Sequence, residues 1–322
     1  MLTIKQIFNL AIQMGIKNDL RGAATVQKRL KKEQEKFKKF SKEEQAEYDK
    51  DRLENPFSDS RMFAANPDKK VKRVLVGIDI DTAELLLAKE LSAKKPIDLI
   101  ISHHPMGKAL AGLHEVMHMQ AEILASYGVP INVAESLMNV RISEVSRSVS
   151  AGNHYKALDA AKYLGFEVIC LHTATDNLVA NYLRKLINKN KKNLETVGDV
   201  IKLLKSIPEY KLAMTQKAGP TLFAGAEDNF AGKIALTEVT GGTEGNKELY
   251  EKMSQAGVGT VIGMHISEEH KKEAEKHHIN VIIAGHISSD SIGINLFLDE
   301  LAKRGIDIIP CAGLIRVKRG KK

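Results

Sequence analysis

The chain has no tryptophan, two cysteines in 322 residues, and an aromatic content of 5%. With so few rings, stacking platforms for nucleic-acid bases are not evident. Cys170 and Cys311 lie far apart and follow no zinc-ribbon spacing, so they read as buried thiols of a reducing compartment. No apolar run approaches the roughly 18 residues that a membrane span needs. The opening Met1-Leu-Thr-Ile-Lys5 does not lead into an apolar core of signal type. The expectation is a cytoplasmic protein with no membrane partner. What is present is ordinary for a globular chain: 43% hydrophobic and 27% charged residues. The length suits one large or two ordinary domains.

A net charge of +8 raises the question of nucleic acid. The excess is spread out, however, over residues 28–50, 185–192 and 316–322, and the first of these also holds many Glu residues. It reads as a lysine-rich solvated surface, which makes nucleic acid an unfavoured partner. The same charge would favour a small anionic substrate.

Hydrophobic periodicity predicts an α/β chain. Residues 1–54 form a helical, charged N-terminal extension: Ile4, Ile7, Phe8, Ala11, Ile12 and Ile16 mark one apolar face, and 26–50 an exposed helical arm. A loop is expected over 52–70. A first α/β half covers 55–190, with strands at 71–80, 98–102, 129–134 and 166–171. Its helices are expected at 82–93 (Thr82 as N-cap), 113–127, 136–164 with an interruption near Gly152, and from Asp176 onward. A second half covers 191–322, with strands at 221–226, 232–238, 257–263, 281–284 and 306–310, and helices at 247–256, 267–277 and 291–304. Short strands joined by helices imply right-handed crossovers and mostly parallel sheets. No internal sequence repeat is obvious.

Three strand ends carry the chemistry. Asp98-Leu-Ile-Ile-Ser-His-His-Pro105 delivers His103 and His104 into a turn. Val168-Ile-Cys-Leu-His-Thr-Ala-Thr-Asp176 places His172 after an apolar run, with Asp176 four residues on. Val281-Ile-Ile-Ala-Gly-His-Ile-Ser-Ser-Asp290 repeats that build with His286 and Asp290. Ligands gather at the carboxyl ends of strands in open α/β sheets. Imidazole with carboxylate is a mixed ligand set for Zn²⁺, Mn²⁺ or Fe²⁺, and five or six such groups suit two ions. Each motif alone could instead be a polar helix cap.

Other residues carry weaker signals. His114-Glu-Val-Met-His118 matches the letters of a zinc-protease helix but offers no third ligand. His154, His270, His277 and His278 read as solvated, and His265 as a possible site edge. Asp79, Asp81, Ser102 and Glu135 stand at expected strand ends. Gly241-Gly-Thr-Glu-Gly245 could cradle phosphate before a helix, or be a tight turn.

Taken in order, the three motifs resemble the NGG-one-interacting factor three-like family, also known as dinuclear metal centre hexameric proteins. Some of its members bear the name type 2 GTP cyclohydrolase I. The segment ending Val74-Leu-Val-Gly-Ile-Asp79 is similar to an early core strand of the family, and the likeness runs over roughly residues 54–312. It implies two similar α/β halves with a two-metal site between them, and a hexameric ring. Position by position, it implies His103, His104, Asp176, His286 and Asp290 as ligands of two divalent ions, with His172 beside them as the catalytic histidine. Asp290 stands where the family usually has Glu. The extra helical sequence over 133–164 and the long charged arm also depart from the pattern, and Ile262-Gly-Met264 replaces a Thr-Gly-Glu. Three functions compete: a metal-dependent hydrolase acting on a nucleotide or phosphoester-like anion, a non-enzymatic metal-binding hexameric scaffold or regulator, and a nucleic-acid-binding surface.

Overall fold

The computed structural model describes residues 1–319, and within them nine strands divide between two sheets. In chain order these are β1 (Ser60–Phe63), β2 (Arg73–Gly77), β3 (Leu99–Ser102), β4 (Val168–Leu171), β5 (Thr221–Ala224), β6 (Lys233–Glu238), β7 (Val258–Gly263), β8 (Asn280–Ile283) and β9 (Asp307–Cys311). The first sheet has the order β1-β4-β3-β2-β9 and the second β5-β8-β7-β6. Strands β2, β3, β4 and β9 run parallel, as do β6, β7 and β8. The edge strands β1 and β5 are antiparallel to their neighbours.

The two sheets therefore share one plan: an antiparallel edge, then three parallel strands in the order last, middle, first. The expected α/β class of two similar, mostly parallel halves holds. Strands β3, β4 and β8 are buried along their whole length, which fits their unbroken apolar runs and the covering of both sheet faces by helices. Strand β9 pairs with β2, so the chain returns to the first sheet after building the second.

Helix Ile4–Asn18 opens with a capping box between Thr3 and Gln6 and buries Ile4, Ile7, Ala11, Ile12 and Ile16, the face expected from the sequence. It packs on helix Thr173–Asn190, which packs in turn on helix His286–Lys303. Small residues set these crossings. A Cβ on Gly293 would lie 2.4 Å from the Thr175 carbonyl oxygen, and one on Gly15 2.8 Å from that of Ala174. One apolar cluster holds Ile12, Val179, Ile262, Ile282 and Ile292, so the halves share a core. Helix Ala23–Phe37 buries only Val26 and Leu30, as an exposed arm should. The arm is tied back through Asp49, which accepts a 2.7 Å bond from the buried Arg61.

Several expectations need correction. Residues 129–134 are not a strand: Pro130 caps helix Ile131–Ser150, and a short apolar run cannot by itself separate strand from helix. The 52–70 loop contains β1, an edge strand too short to show alternation. Helix 113–127 is two, Leu113–Val116 and His118–Ser126. Asp81, not Thr82, caps helix Thr82–Lys94, with Glu84 completing a capping box. The two helices after β4 and β8 begin earlier than expected, at Thr173 and His286.

Gly293→Ala is expected to force apart the helices that carry Asp176 and Asp290. The cost should be about 1–3 kcal/mol of overpacking, read as a lower urea midpoint with an unchanged slope.

Candidate metal centre

The early helix starts decide the geometry. Strand β4 ends at Leu171, His172 caps the next helix, and Asp176 lies in its first turn. Gly285 precedes the other helix at φ 109°, a conformation that favours glycine, so His286 and Asp290 share one helix face. Strand β3 ends at Ser102 and projects His103 and His104 into the same space. All six side chains singled out in the sequence come together. The cluster draws His103, His104, His172 and Asp176 from the first sheet's strand ends and His286 and Asp290 from the second's.

His103 Nε2 lies 3.4 Å from both Asp176 Oδ1 and Asp290 Oδ1. His104 Nε2 and His286 Nε2 lie 3.5 and 3.6 Å from Asp290 Oδ2. His172 Nε2 is 3.8 Å from Asp176 Oδ2. These gaps are too long for good hydrogen bonds. They match the about 3.4 Å expected between two ligands that each stand about 2.1 Å from one tetrahedral ion. His103 Nε2, Asp176 Oδ1 and both Asp290 oxygens are buried with no hydrogen-bond partner. Orphaned polar atoms of this kind are rare and costly in native proteins. Two divalent cations sharing Asp290 would satisfy all four. Three overlapping groups could hold an ion: His103–His104–His172, His104–His286–Asp290 and His103–Asp176–Asp290.

A second layer aims the rings. Thr175 Oγ1 donates its one proton to the Leu171 or His172 carbonyl, so at 3.1 Å it accepts from His103 Nδ1. Asp79 accepts from His104 Nδ1 at 2.6 Å, and the buried Asp59 from His172 Nδ1 at 2.8 Å. Asp59 also accepts from Thr173 Oγ1 at 2.7 Å. Each partner fixes the proton on Nδ1 and turns Nε2 inward, the arrangement that metal-ligating histidines need. His286 has no such partner among the described residues.

Burial pushes His103 down to about 4, against the pull of Asp290, and so keeps the ring neutral. His172 goes the other way: burial opposes its charge, but Asp176 and Asp59 outweigh it and raise the ring to about 9. Burial raises Asp176 well above the carboxylate range, helped by Asp290 and Asp59. Asp290 falls below its ordinary value, because three imidazoles overcome its desolvation.

The other candidates fare differently. Asp79 and Thr175 hold cluster histidines, while Asp81 caps a helix. Ser102 donates to the His104 carbonyl. Glu135 lies exposed on helix Ile131–Ser150 instead of at a strand end. No metal-competent group among the described residues includes His114 or His118. His270 is buried instead of solvated, bonded to Ser267 and Gly245. Cys170 is buried as expected, whereas Cys311 is half-exposed. The Gly241–Gly245 loop does not open a helix directly. Gln120 holds it by donating to Gly241 and Thr243 carbonyls. Asp59 escaped the sequence reading. It sits in a segment expected to be a loop, 113 positions from its partner His172.

A cavity of about 20 Å³ adjoins the cluster, between His172, Asp176 and His286 on one side and Glu238, Thr240, Thr243 and His265 on the other. A larger cavity of about 370 Å³ lies under the N-terminal arm, away from the cluster. Its three arginines are already neutralised: Arg21 and Arg29 by Glu122, and Arg52 by Glu33 and Glu115.

No protein-family model matches the chain, and no curated protein does. Solved structures do. A NIF3 superfamily protein from Sphaerobacter thermophilus is 30% identical, with a TM-score of 0.72 over 80% of this chain and 92% of that one. Reduced HcgD from Methanocaldococcus jannaschii is 17% identical, with a TM-score of 0.47 over 77% and 87%. A Staphylococcus aureus hypothetical protein is 15% identical, with a TM-score of 0.44 over 82% and 92%.

Asp59→Ala removes the acceptor that orients His172 and leaves every cluster residue in place. Metal affinity, titrated against a competing chelator, should weaken about 10–100-fold with the far-UV spectrum unchanged. Unaltered affinity would separate Asp59 from the site.

Proposed function

Because this chain belongs to the NIF3 superfamily and buries a cluster of unpartnered His and Asp atoms, we propose that it is a dinuclear-metal hydrolase acting on a small anionic substrate of nucleotide or phosphoester type. The observation that carries the reading is Asp290. Both its oxygens are buried and unpartnered, with imidazole nitrogens from His103, His104 and His286 3.4–3.6 Å away. His103, His104, Asp176, His286 and Asp290 are the proposed ligands, and Asp290 would bridge. Zn²⁺, Mn²⁺ or Fe²⁺ suits this set. Two such ions would lower the pKa of a water toward neutrality and polarise the scissile centre.

The chain's own residues do the rest. His172 faces the cavity with its Nδ1 held by Asp59, so its Nε2 is placed to give a proton and take it back. The spread of positive charge favours arrival of an anion. Residence in the cytoplasm and a homohexamer are parts of the same proposal, and no described helix is long and apolar enough to cross a membrane.

A second reading is a non-enzymatic metal-binding hexameric scaffold or regulator. It is favoured by the small cavity beside the cluster, about 20 Å³. Turnover separates the two. Metal-replete protein should hydrolyse at least one member of a nucleotide and phosphoester panel, and His172→Ala should lower kcat about 10²–10⁴-fold with metal retained. Full occupancy with no turnover anywhere on the panel would favour the scaffold.

The two ions should not be equivalent. His103, Asp176 and Asp290 are all buried, whereas His104 and His286 keep 23% and 40% of their side-chain surface exposed. Elemental analysis during dialysis against chelator should show close to two ions per chain falling first to one. Simultaneous loss of both would contradict this asymmetry.

A further inference from the structure

The wall opposite the cluster belongs to the second sheet, and none of the metal-competent groups among the described residues includes its Glu238 or His265. Strand β6 ends at Glu238 and β7 at Gly263, with the two residues paired in register. In the first sheet Gly77 and Ser102 hold the matching positions. His265 therefore follows β7 as His104 follows β3, two residues past the strand end. The matched histidines flank the same site: His104 lies 5.2 Å from His286 between ring centroids, and His265 also lies 5.2 Å from it, edge-on at 80°.

Glu238 has no counterpart, since the first sheet has glycine there. Its Oε2 is shut off from solvent and has no hydrogen-bond partner. The charged and titratable groups around it are His265, His270, Glu244 and Tyr250, and the Gly245 amide also faces its carboxyl group. Neither histidine makes a hydrogen bond to that oxygen. His270 is spent on Ser267 and Gly245. His265 Nδ1 is engaged by Glu244 at 3.3 Å, and Glu244 is anchored in turn by the Ser267 amide at 2.8 Å. A carboxyl oxygen left over in a cavity that His172, Asp176 and His286 also line is in need of a donor.

We propose that Glu238 is a specificity-determining residue that accepts a hydrogen bond from an N–H on the ligand atom next to the one bound at the cluster, so that the site selects amide-like ligands. His265 walls the same cavity and keeps Nε2 free for the ligand's oxygen. The cavity, about 20 Å³, admits one small polar group of that kind, with the rest of the ligand outside. This inference rests on the metal reading of the cluster.

The test uses full-length, Zn²⁺-loaded protein and two probes: acetohydroxamate, which offers oxygens to metal and an adjacent N–H, and N-methylacetohydroxamate, which lacks the N–H. Affinities are read by calorimetry and metal content by elemental analysis of the same samples. Wild type should prefer acetohydroxamate by about tenfold, the effect of one buried hydrogen bond. E238A should lose that preference with metal retained. E238Q, whose amide oxygen can still accept, should keep it within about threefold, and it serves as the folded control if E238A does not fold. Metal-replete E238A with an undiminished preference, or wild type with none, overturns the proposal and leaves an ordered water as the cavity's occupant. Wild type that takes up no metal overturns the reading of the cluster and this inference with it.

Discussion

Asp290 is where the fold concentrates its electrostatic cost. A carboxylate with no hydrogen bond, almost entirely removed from water, would be ruinous alone. Here the first sheet supplies two imidazoles against it, His103 and His104, and its own helix a third, His286. The oxygens face different rings: Oδ1 looks to His103, and Oδ2 to His104 and His286. That division lets one side chain join two groups of metal-competent atoms. If either half of the molecule shifted, Asp290 would be stranded. The packing of the halves is thus tied to the state of the cluster.

The packing answers that demand through close backbone approach. Gly293 lies one turn beyond Asp290, and its lack of a side chain lets helix His286–Lys303 rest against Thr175. Thr175 in turn aims His103. One contact therefore sets both the separation of the two carboxylates and the direction of a ring. The second layer is lopsided. Thr175, Asp79 and Asp59 all come from the first half, and His286 has no matching support among the described residues. Two halves built on one strand plan have diverged in this respect, one toward a supported set of imidazoles and the other toward the wall that holds Glu238 and His265.

The cluster was legible in the sequence because its members sit directly after apolar strands, where a parallel sheet must present them. Spacing alone carried His172 with Asp176 and His286 with Asp290, since i and i+4 share a face once the turn is helical. The fold class followed from the same alternation of short strands and helices. What could not be read was long-range or conformational. Asp59 reaches His172 across 113 positions, from a segment rich in turn-forming residues. Edge strand β1 is four residues with a buried arginine in its middle, so no alternation marks it. The apolar stretch 129–134 looked like a strand, and only Pro130 at a helix start resolves it. Glu238 was hidden at the end of an unremarkable strand, and its lack of a partner is a property of the assembled core alone.

Two ions sharing Asp290 would account for both of its unpartnered oxygens. Anomalous diffraction from crystals soaked with Zn²⁺, recorded on both sides of the zinc edge, tests that sharing most directly. Two peaks are expected about 3.5–4 Å apart within the His103–Asp176–Asp290–His286 cluster, each in contact with one oxygen of Asp290. A single peak, or peaks elsewhere with Asp290 unligated, would contradict it.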